Sequence, residues 1–198
     1  MTGVLDWVAL LVILIASAGL LMSRDWRWGI GLLAAQYLGA FWLLQTPWPV
    51  SMAAAKLVTG WMACAVLGIA LSTSAPSPEE GTDSSWPQNR LFRLFTAILV
   101  YIVTFGMAQP AVTWLGLSLP VAWGGLALLG MGILALGLTV QPLRVVFGLL
   151  TMLAGFESLY AAVENSALVA ALLSVVTLGL AMAGAYFLAT PDEEEIIQ

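Results

Sequence analysis

The chain has 198 residues and a formal net charge of −5; 61% of its residues are hydrophobic and only 9% are charged. Globular domains carry about 25% charged residues, so a water-soluble fold of this composition would leave too much apolar surface in contact with solvent. The mean hydropathy of +0.99 therefore predicts a protein that resides in lipid. Histidine is absent and Cys64 is the single cysteine, which excludes zinc, haem and Cys/His nucleophile chemistry. We expect no catalytic residue, no cofactor, no bound metal and no nucleic-acid partner.

Apolar runs of spanning length follow one another along the chain, separated by short polar breaks. A transmembrane helix needs about 20 apolar residues at a rise of about 1.5 Å per residue. Such helices are predicted near 4–22, 29–45, 50–71, 91–108, 121–140, 144–163 and 167–189. The breaks hold turn-forming residues, at Ser23 to Trp28, Gln45 to Pro49, Gln109 to Pro120, Gln141-Pro142 and Asn165-Ser166. The sequence predicts an all-α, polytopic membrane helix bundle of about seven transmembrane helices.

Two extramembrane segments divide this pattern. Residues 72–90 are rich in Ser, Pro and acidic residues, which predicts a linker rather than a folded domain. The linker separates a three-helix membrane half, 1–71, from a four-helix membrane half, 91–189. Residues 190–198 are predicted to form a solvated acidic tail.

The basic residues predict the orientation, because Lys and Arg in short loops are retained on the cytoplasmic side of a membrane. Arginines lie in or beside the first, third and fifth predicted loops, at Arg24, Arg27, Arg90, Arg93 and Arg144. The second, fourth and sixth loops have no basic residue. The odd loops are therefore predicted to be cytoplasmic, with the N-terminus outside and the C-terminus, the linker and the tail inside.

Glycines are frequent in several predicted helices, including Gly29, Gly31 and Gly39 in the second, Gly124 through Gly137 in the fifth, and Gly179 and Gly184 in the seventh. Small residues at such spacing let helix backbones approach closely. The glycines therefore predict tight helix packing and indicate nothing about a substrate.

Two ionisable residues lie deep inside predicted helices. Ionisable groups at such depth cost at least about 2.5–3.5 kcal/mol each and usually face a bundle interior or a hydrated path. At about 1.5 Å per residue, Glu157 lies roughly 20 Å in from Arg144, and Lys56 lies roughly 10 Å in from Pro49 on the other side. In a hydrocarbon core about 30 Å thick, the two residues are predicted to lie at nearly the same level.

This placement has two interpretations. In the first, Glu157 and Lys56 are members of a proton or cation relay. In the second, they form a structural ion pair, or are two separate polar groups bonded to backbone or hydroxyl partners. Two further residues are relay candidates: Glu164, seven residues after Glu157 and predicted on the same helix face, and Gln36, a neutral group in the second helix. Glu164 could instead be an interfacial residue, and Gln36 could bond across helices.

Several of these residues stand in short motifs. Ala34-Ala35-Gln36 lies in the second predicted helix and Lys56 in the third. Leu143-Arg144-Val145-Val146-Phe147-Gly148 begins the sixth, and Gly155-Phe156-Glu157 follows within it. With these motifs, its length and its helix arrangement, the chain resembles the hydrogenase-4 component E family, whose C-terminal part is similar to subunit K of bacterial NADH-quinone oxidoreductase (complex I).

The resemblance implies a small membrane-arm subunit of a proton- or sodium-translocating redox complex, or of a related multisubunit antiporter, in a bacterial or archaeal plasma (inner) membrane. The implied partners are the other membrane subunits of such a complex, including large antiporter-like subunits, and the lipid bilayer. In the family the intramembrane acid stands near the position of Leu153, and the seventh helix carries a second acid where this chain has Ser174 and Thr177. An ion path that lacks this acid would be incomplete, and the subunit would then serve chiefly as a structural link.

Three classes of function therefore follow from the sequence. The first is a non-catalytic, accessory subunit of an ion-translocating redox or antiporter complex. The second is a stand-alone transporter for a small solute, which the short chain and the lack of inverted repeats disfavour. The third is a structural or assembly membrane protein without an ion path.

Overall fold

The secondary structure is helical throughout the part of the chain that the structure, a computed structural model, describes: residues 2–23, 25–73 and 90–189. Seven helices are present in these ranges. They are α1 Thr2–Met22, α2 Trp26–Leu44, α3 Val50–Thr73, α4 Arg90–Leu115, α5 Leu119–Leu138, α6 Pro142–Tyr160 and α7 Ala167–Ala189. The prediction of an all-α fold is confirmed. Arg24, most of the predicted linker and the predicted acidic tail lie outside the described residues.

Six of the helices, all except α2, are long and apolar enough to cross a membrane. The helix α2 is less apolar because it includes Arg27, Gln36 and several tryptophans. Its polar residue Gln36 is fully buried among the other helices. By length and composition, the chain is therefore a multi-pass helical membrane protein with six candidate spans and a seventh helix, α2, that packs among them.

The most extensive helix contact is between α5 and α6, followed by those of α3 with α7 and α1 with α2. The helix α2 also contacts α3, α5 and α6, so it packs against at least four other helices. The helices α4 and α7 are peripheral, with only 17% and 22% of their spanning windows buried. Large apolar side chains cover their outer faces, as expected of surfaces that face lipid.

The polar break predicted from Gln109 to Pro120 is wrong for most of its length, because α4 continues through Pro110 to Leu115. Proline lacks a backbone N–H, but membrane helices tolerate it where neighbouring groups satisfy the freed carbonyl. The helix ends instead at Gly116, which adopts a φ of +67°. The Gly116 N–H bonds to the Val112 carbonyl at 3.0 Å, a common helix-ending arrangement that favours glycine.

The helix α6 is held against α5 by close approach of the two backbones. A Cβ atom added to Gly155 would lie 2.7 Å from the Gly125 carbonyl oxygen, and one added to Gly132 would lie 2.5 Å from the Met152 backbone nitrogen. Only glycine fits at these two positions without a backbone shift. This contact fixes where the opposite face of α6 meets α2, α3 and α7.

Candidate functional site

Lys56 lies on α3, six residues after that helix begins at Val50. The helix begins directly after Pro49, whose carbonyl accepts the N–H groups of Met52 and Ala53. The Lys56 side chain points into the bundle and is only 4% exposed. An ammonium group at this depth requires a partner, because lipid and apolar side chains cannot solvate it.

That partner is Glu157, which lies on α6 three residues before the helix ends at Tyr160. Glu157 is 3% exposed. Its Oε1 atom accepts a hydrogen bond from Lys56 Nζ at 2.5 Å, and the two groups form a buried ion pair. The two residues that the residue count placed at one level are thus in contact, although 101 positions separate them in the sequence.

A third helix contributes to the same carboxylate. Thr177 on α7 is 2% exposed, and its hydroxyl donates a long hydrogen bond of 3.5 Å to Glu157 Oε1. The same hydroxyl donates to the Leu173 carbonyl at 2.9 Å, which keeps it close to α7. Thr177 therefore occupies the region where the resemblance implied a second acid, and it offers a neutral hydroxyl there.

Tyr37 on α2 lies beside the ion pair. Its ring packs directly on Gly60 of α3, where a Cβ atom would collide with it. Tyr37, Lys56 and Glu157 line one small cavity together with Ala154, and this cavity has room for at most about one water molecule. The Tyr37 hydroxyl is buried and has no hydrogen-bond partner in the described part of the chain. Because buried hydroxyls are normally hydrogen-bonded, this group marks a place where a water molecule would bind.

Gln36 does not reach the ion pair. Its side-chain Nε2 donates to the Thr151 hydroxyl of α6 at 3.3 Å, and both residues are buried. Thr151 precedes Glu157 by six residues, which is about 9 Å along a helix. The pair of Gln36 and Thr151 is therefore a second, neutral polar contact between α2 and α6, separate from the charged one.

Glu164 lies beyond the C-terminal end of α6, and its side chain is exposed whereas that of Glu157 is buried. Its place on the face of Glu157 stays a prediction. The seven-residue spacing places two side chains on one face only while the helix continues, and α6 ends at Tyr160. After Tyr160 the chain continues in turns, in which the Ala162 N–H bonds to the Leu159 carbonyl and the Val163 N–H to the Tyr160 carbonyl. The Glu164 N–H bonds to the Tyr160 carbonyl at 3.1 Å, which is the helical spacing of four residues. The Glu164 side chain is exposed, and its backbone carbonyl accepts the indole N–H of Trp48 at 3.1 Å.

The sequence motifs did not identify Thr151, Tyr37 or Thr177 as members of the site. The signal that could have identified Thr177 is the missing acid in the seventh helix, because a buried carboxylate requires some polar partner there. Tyr37 has a weaker signal, a large hydroxyl-bearing side chain directly after Gln36 in a mostly apolar helix. Within the described residues, no three His, Cys, Asp or Glu side chains come together as metal ligands would.

Chemically, the ion pair can hold one exchangeable proton between an amine and a carboxylate. With the proton on Lys56 the pair is an ammonium and a carboxylate, and with the proton on Glu157 it is a neutral amine and a carboxylic acid. The net charge of the pair is zero in both forms. A proton can therefore pass between Lys56 and Glu157 without changing the net charge of the pair. That net charge changes only when the pair gains a proton from another group or loses one to it.

No protein-family model, no curated protein and no solved structure matches the chain. The resemblance to the hydrogenase-4 component E family rests on the sequence motifs. Of the residues in those motifs, Lys56 and Glu157 contact each other across α3 and α6.

Proposed function

We propose that this protein is a non-catalytic membrane-arm subunit of a proton- or sodium-translocating redox complex or multisubunit antiporter, in which Lys56 and Glu157 contribute to an ion path. The observation that supports this function is the buried ion pair between α3 and α6. Among the described residues, these two are the charged side chains that the fold buries. A membrane protein accepts the cost of such groups chiefly where they serve transport or assembly.

The surroundings of the pair support proton exchange. Thr177 on α7 places a hydroxyl group next to Glu157, and Tyr37 on α2, which also bears a hydroxyl, lines the cavity beside the pair. Hydroxyl groups can donate and accept hydrogen bonds at once, so both can take part in proton transfer. In the proposed complex the C-terminus is cytoplasmic and neighbouring subunits, including antiporter-like ones, provide the remainder of the path within a bacterial or archaeal plasma membrane.

A structural or assembly role is the second candidate, and one observation favours it. The acid that relatives carry in the seventh helix is replaced here by Thr177, which contacts Glu157 as a neutral group. The pair would then fix α3, α6 and α7 in register without passing ions. The same complex would contain the subunit in both cases.

Extraction of the native membrane in a mild detergent tests the proposal. We expect a particle far larger than the 21.0 kDa of this chain, containing other membrane subunits, and we expect Glu157→Gln to assemble but to lose ion translocation. Glu164→Gln is the comparison variant, because it removes an exposed carboxylate outside the helix, and it should impair translocation less than Glu157→Gln. A well-folded monomer that transports a solute alone in liposomes would contradict the proposal, as would normal translocation by assembled Glu157→Gln.

A further inference from the structure

An open vestibule of about 280 Å³ lies at the C-terminal end of α6. Its wall includes Ala161 and Glu164 after α6, Ser118 before α5 and Thr46 after α2. The exposed Glu164 places an acidic side chain in the wall of this vestibule. The vestibule therefore favours cations and water over anions.

The vestibule comes within one helical turn of the ion pair. The Ala161 N–H, in its wall, donates to the Glu157 backbone carbonyl at 2.9 Å. Four residues of helix correspond to a rise of about 6 Å. A short apolar layer therefore separates the vestibule from the small cavity beside Glu157.

Trp48 is the largest side chain among the buried residues of that layer. It is 3% exposed and packs with Leu44, Ala53 and Ala161. Leu44 also lines the small cavity beside Glu157, so the layer borders the vestibule on one side and the ion pair on the other. The indole N–H of Trp48 is tied to the Glu164 backbone carbonyl, which anchors the ring to the vestibule wall.

A buried hydroxyl group without a hydrogen-bond partner lies on each side of this layer. Ser118 lines the vestibule and Tyr37 lines the ion-pair cavity; the hydroxyl of each is buried and has no partner within the described residues. Buried polar atoms normally bond to protein or to ordered water. Both sides of Trp48 therefore offer a group that would bind water.

The other end of α6 is less suited to admit protons or cations. A cavity there is lined by Arg93 and Arg144 and extends inward to Thr151. Two guanidinium groups at a pore mouth oppose the entry of cations. The inner end of this cavity meets the hydrogen bond between Gln36 and Thr151, which lies about 9 Å from Glu157 along α6.

We propose that water and protons reach the Lys56–Glu157 pair from the Glu164 vestibule alone, and that the Trp48 side chain is the gate between them. The inference rests on the proposed function, because it takes the pair as the group that exchanges protons. It adds the side of access, a gate residue and a role for Glu164 as a charge at the entrance.

Thiol accessibility tests the route in membranes that contain the full chain. Cys64 is the single cysteine, so Cys64→Ala gives a cysteine-free background. Ala154→Cys then places a thiol in the ion-pair cavity. Ag⁺, a small thiol-reactive cation, is added from one side of sealed vesicles, and the thiol that remains free is alkylated after denaturation.

With Trp48 present, Ala154→Cys should react slowly from both sides. Trp48→Ala should accelerate the reaction from the vestibule side only. Trp48→Phe keeps most of the ring volume but removes the hydrogen bond to the Glu164 carbonyl. Because one hydrogen bond is lost, the Ala154→Cys thiol should react with Ag⁺ from the vestibule side about two- to tenfold faster. Faster reaction from the side of Arg93 and Arg144, or no acceleration in either Trp48 variant, would overturn the proposal.

Two controls make these outcomes specific. Ala127→Cys, on α5 and fully buried, should react equally slowly with and without Trp48, which shows that the bundle remains packed. Trp123→Ala removes another tryptophan, on α5, and should leave the Ala154→Cys rate unchanged. The measurement needs no ion translocation, so loss of the proposed function and loss of the access route give different results.

Discussion

The two faces of α6 are held in place by different forces. Toward α5, Gly155 lies against backbone atoms of Gly125 and Leu128, and the contact depends on the absence of side chains. Toward α2, α3 and α7, the same helix places Thr151 and Glu157 against polar partners.

The comparison shows how a helix in lipid can place a charge accurately. There is no strong hydrophobic force between helices in a membrane, so close packing and hydrogen bonds determine association. The glycine face fixes the distance of α6 from α5 by steric contact. The polar face then selects one rotation and one height, because an ion pair tolerates little displacement. We expect changes on the two faces to fail in different ways.

Breaking the ion pair should have the largest effect. Lys56→Met leaves the Glu157 carboxylate without its ammonium partner, and an unmatched charge inside the membrane costs at least about 2.5–3.5 kcal/mol. Glu157→Gln leaves the Lys56 ammonium unmatched in the same way. The double variant removes both charges and should be more stable than either single variant.

The free energy of unfolding, from SDS titration in mixed micelles, measures this coupling. Assembly of the complex in the same variants separates function from structure. Rescue of assembly by the double variant indicates a structural pair, whereas lost translocation in a fully assembled Glu157→Gln complex indicates a relay. Additive losses in the single and double variants would show that Lys56 and Glu157 do not stabilise each other.

A methyl group on the glycine face should have an intermediate effect. Gly155→Ala places a Cβ atom against the Gly125 carbonyl and the Leu128 backbone, and overpacking of this kind costs about 1–3 kcal/mol. Gly179→Ala is the matched control, because a Cβ at Gly179 meets no atom within 4 Å. In a helix, that change should be neutral or slightly stabilising. Equal unfolding midpoints for the two variants would contradict the steric account of the α5 contact.

Residue counting predicted much of the fold and the level of the ion pair, because both depend on local quantities. A helix rises by about 1.5 Å per residue, so the depth of Lys56 and Glu157 follows from nearby interfacial residues. Apolar composition likewise predicted seven helices with approximate bounds. Six of them are long and apolar enough to span, and α2 differs because it contains Arg27, Gln36 and three tryptophans.

The remaining features depend on neighbours that the sequence does not reveal. A break was predicted from Gln109 to Pro120, but α4 continues through Pro110 to Leu115. Gly179 was expected to pack against another helix, yet it faces open space among the described residues. Each error came from extending a local rule across a point where tertiary contacts decide the structure.

At the neutral contact between Gln36 and Thr151 the two members should differ, and Gln36→Leu should have the smallest effect of all. Gln36→Leu leaves a Thr151 hydroxyl that can bond to the carbonyl one turn earlier in α6, so the loss should be near the average of about 0.6 kcal/mol for polar contacts in membranes. Thr151→Val leaves the fully buried Gln36 amide without that partner, which costs about 1–3 kcal/mol. The double variant should recover most of this loss, since no polar group is then left unpaired. SDS titration measures the free energy of unfolding of the three variants. A larger loss for Gln36→Leu than for Thr151→Val would show that this contact stabilises the fold by something other than its hydrogen bond. Neither change should alter the side from which Ala154→Cys reacts, because the ion pair and Trp48 remain intact.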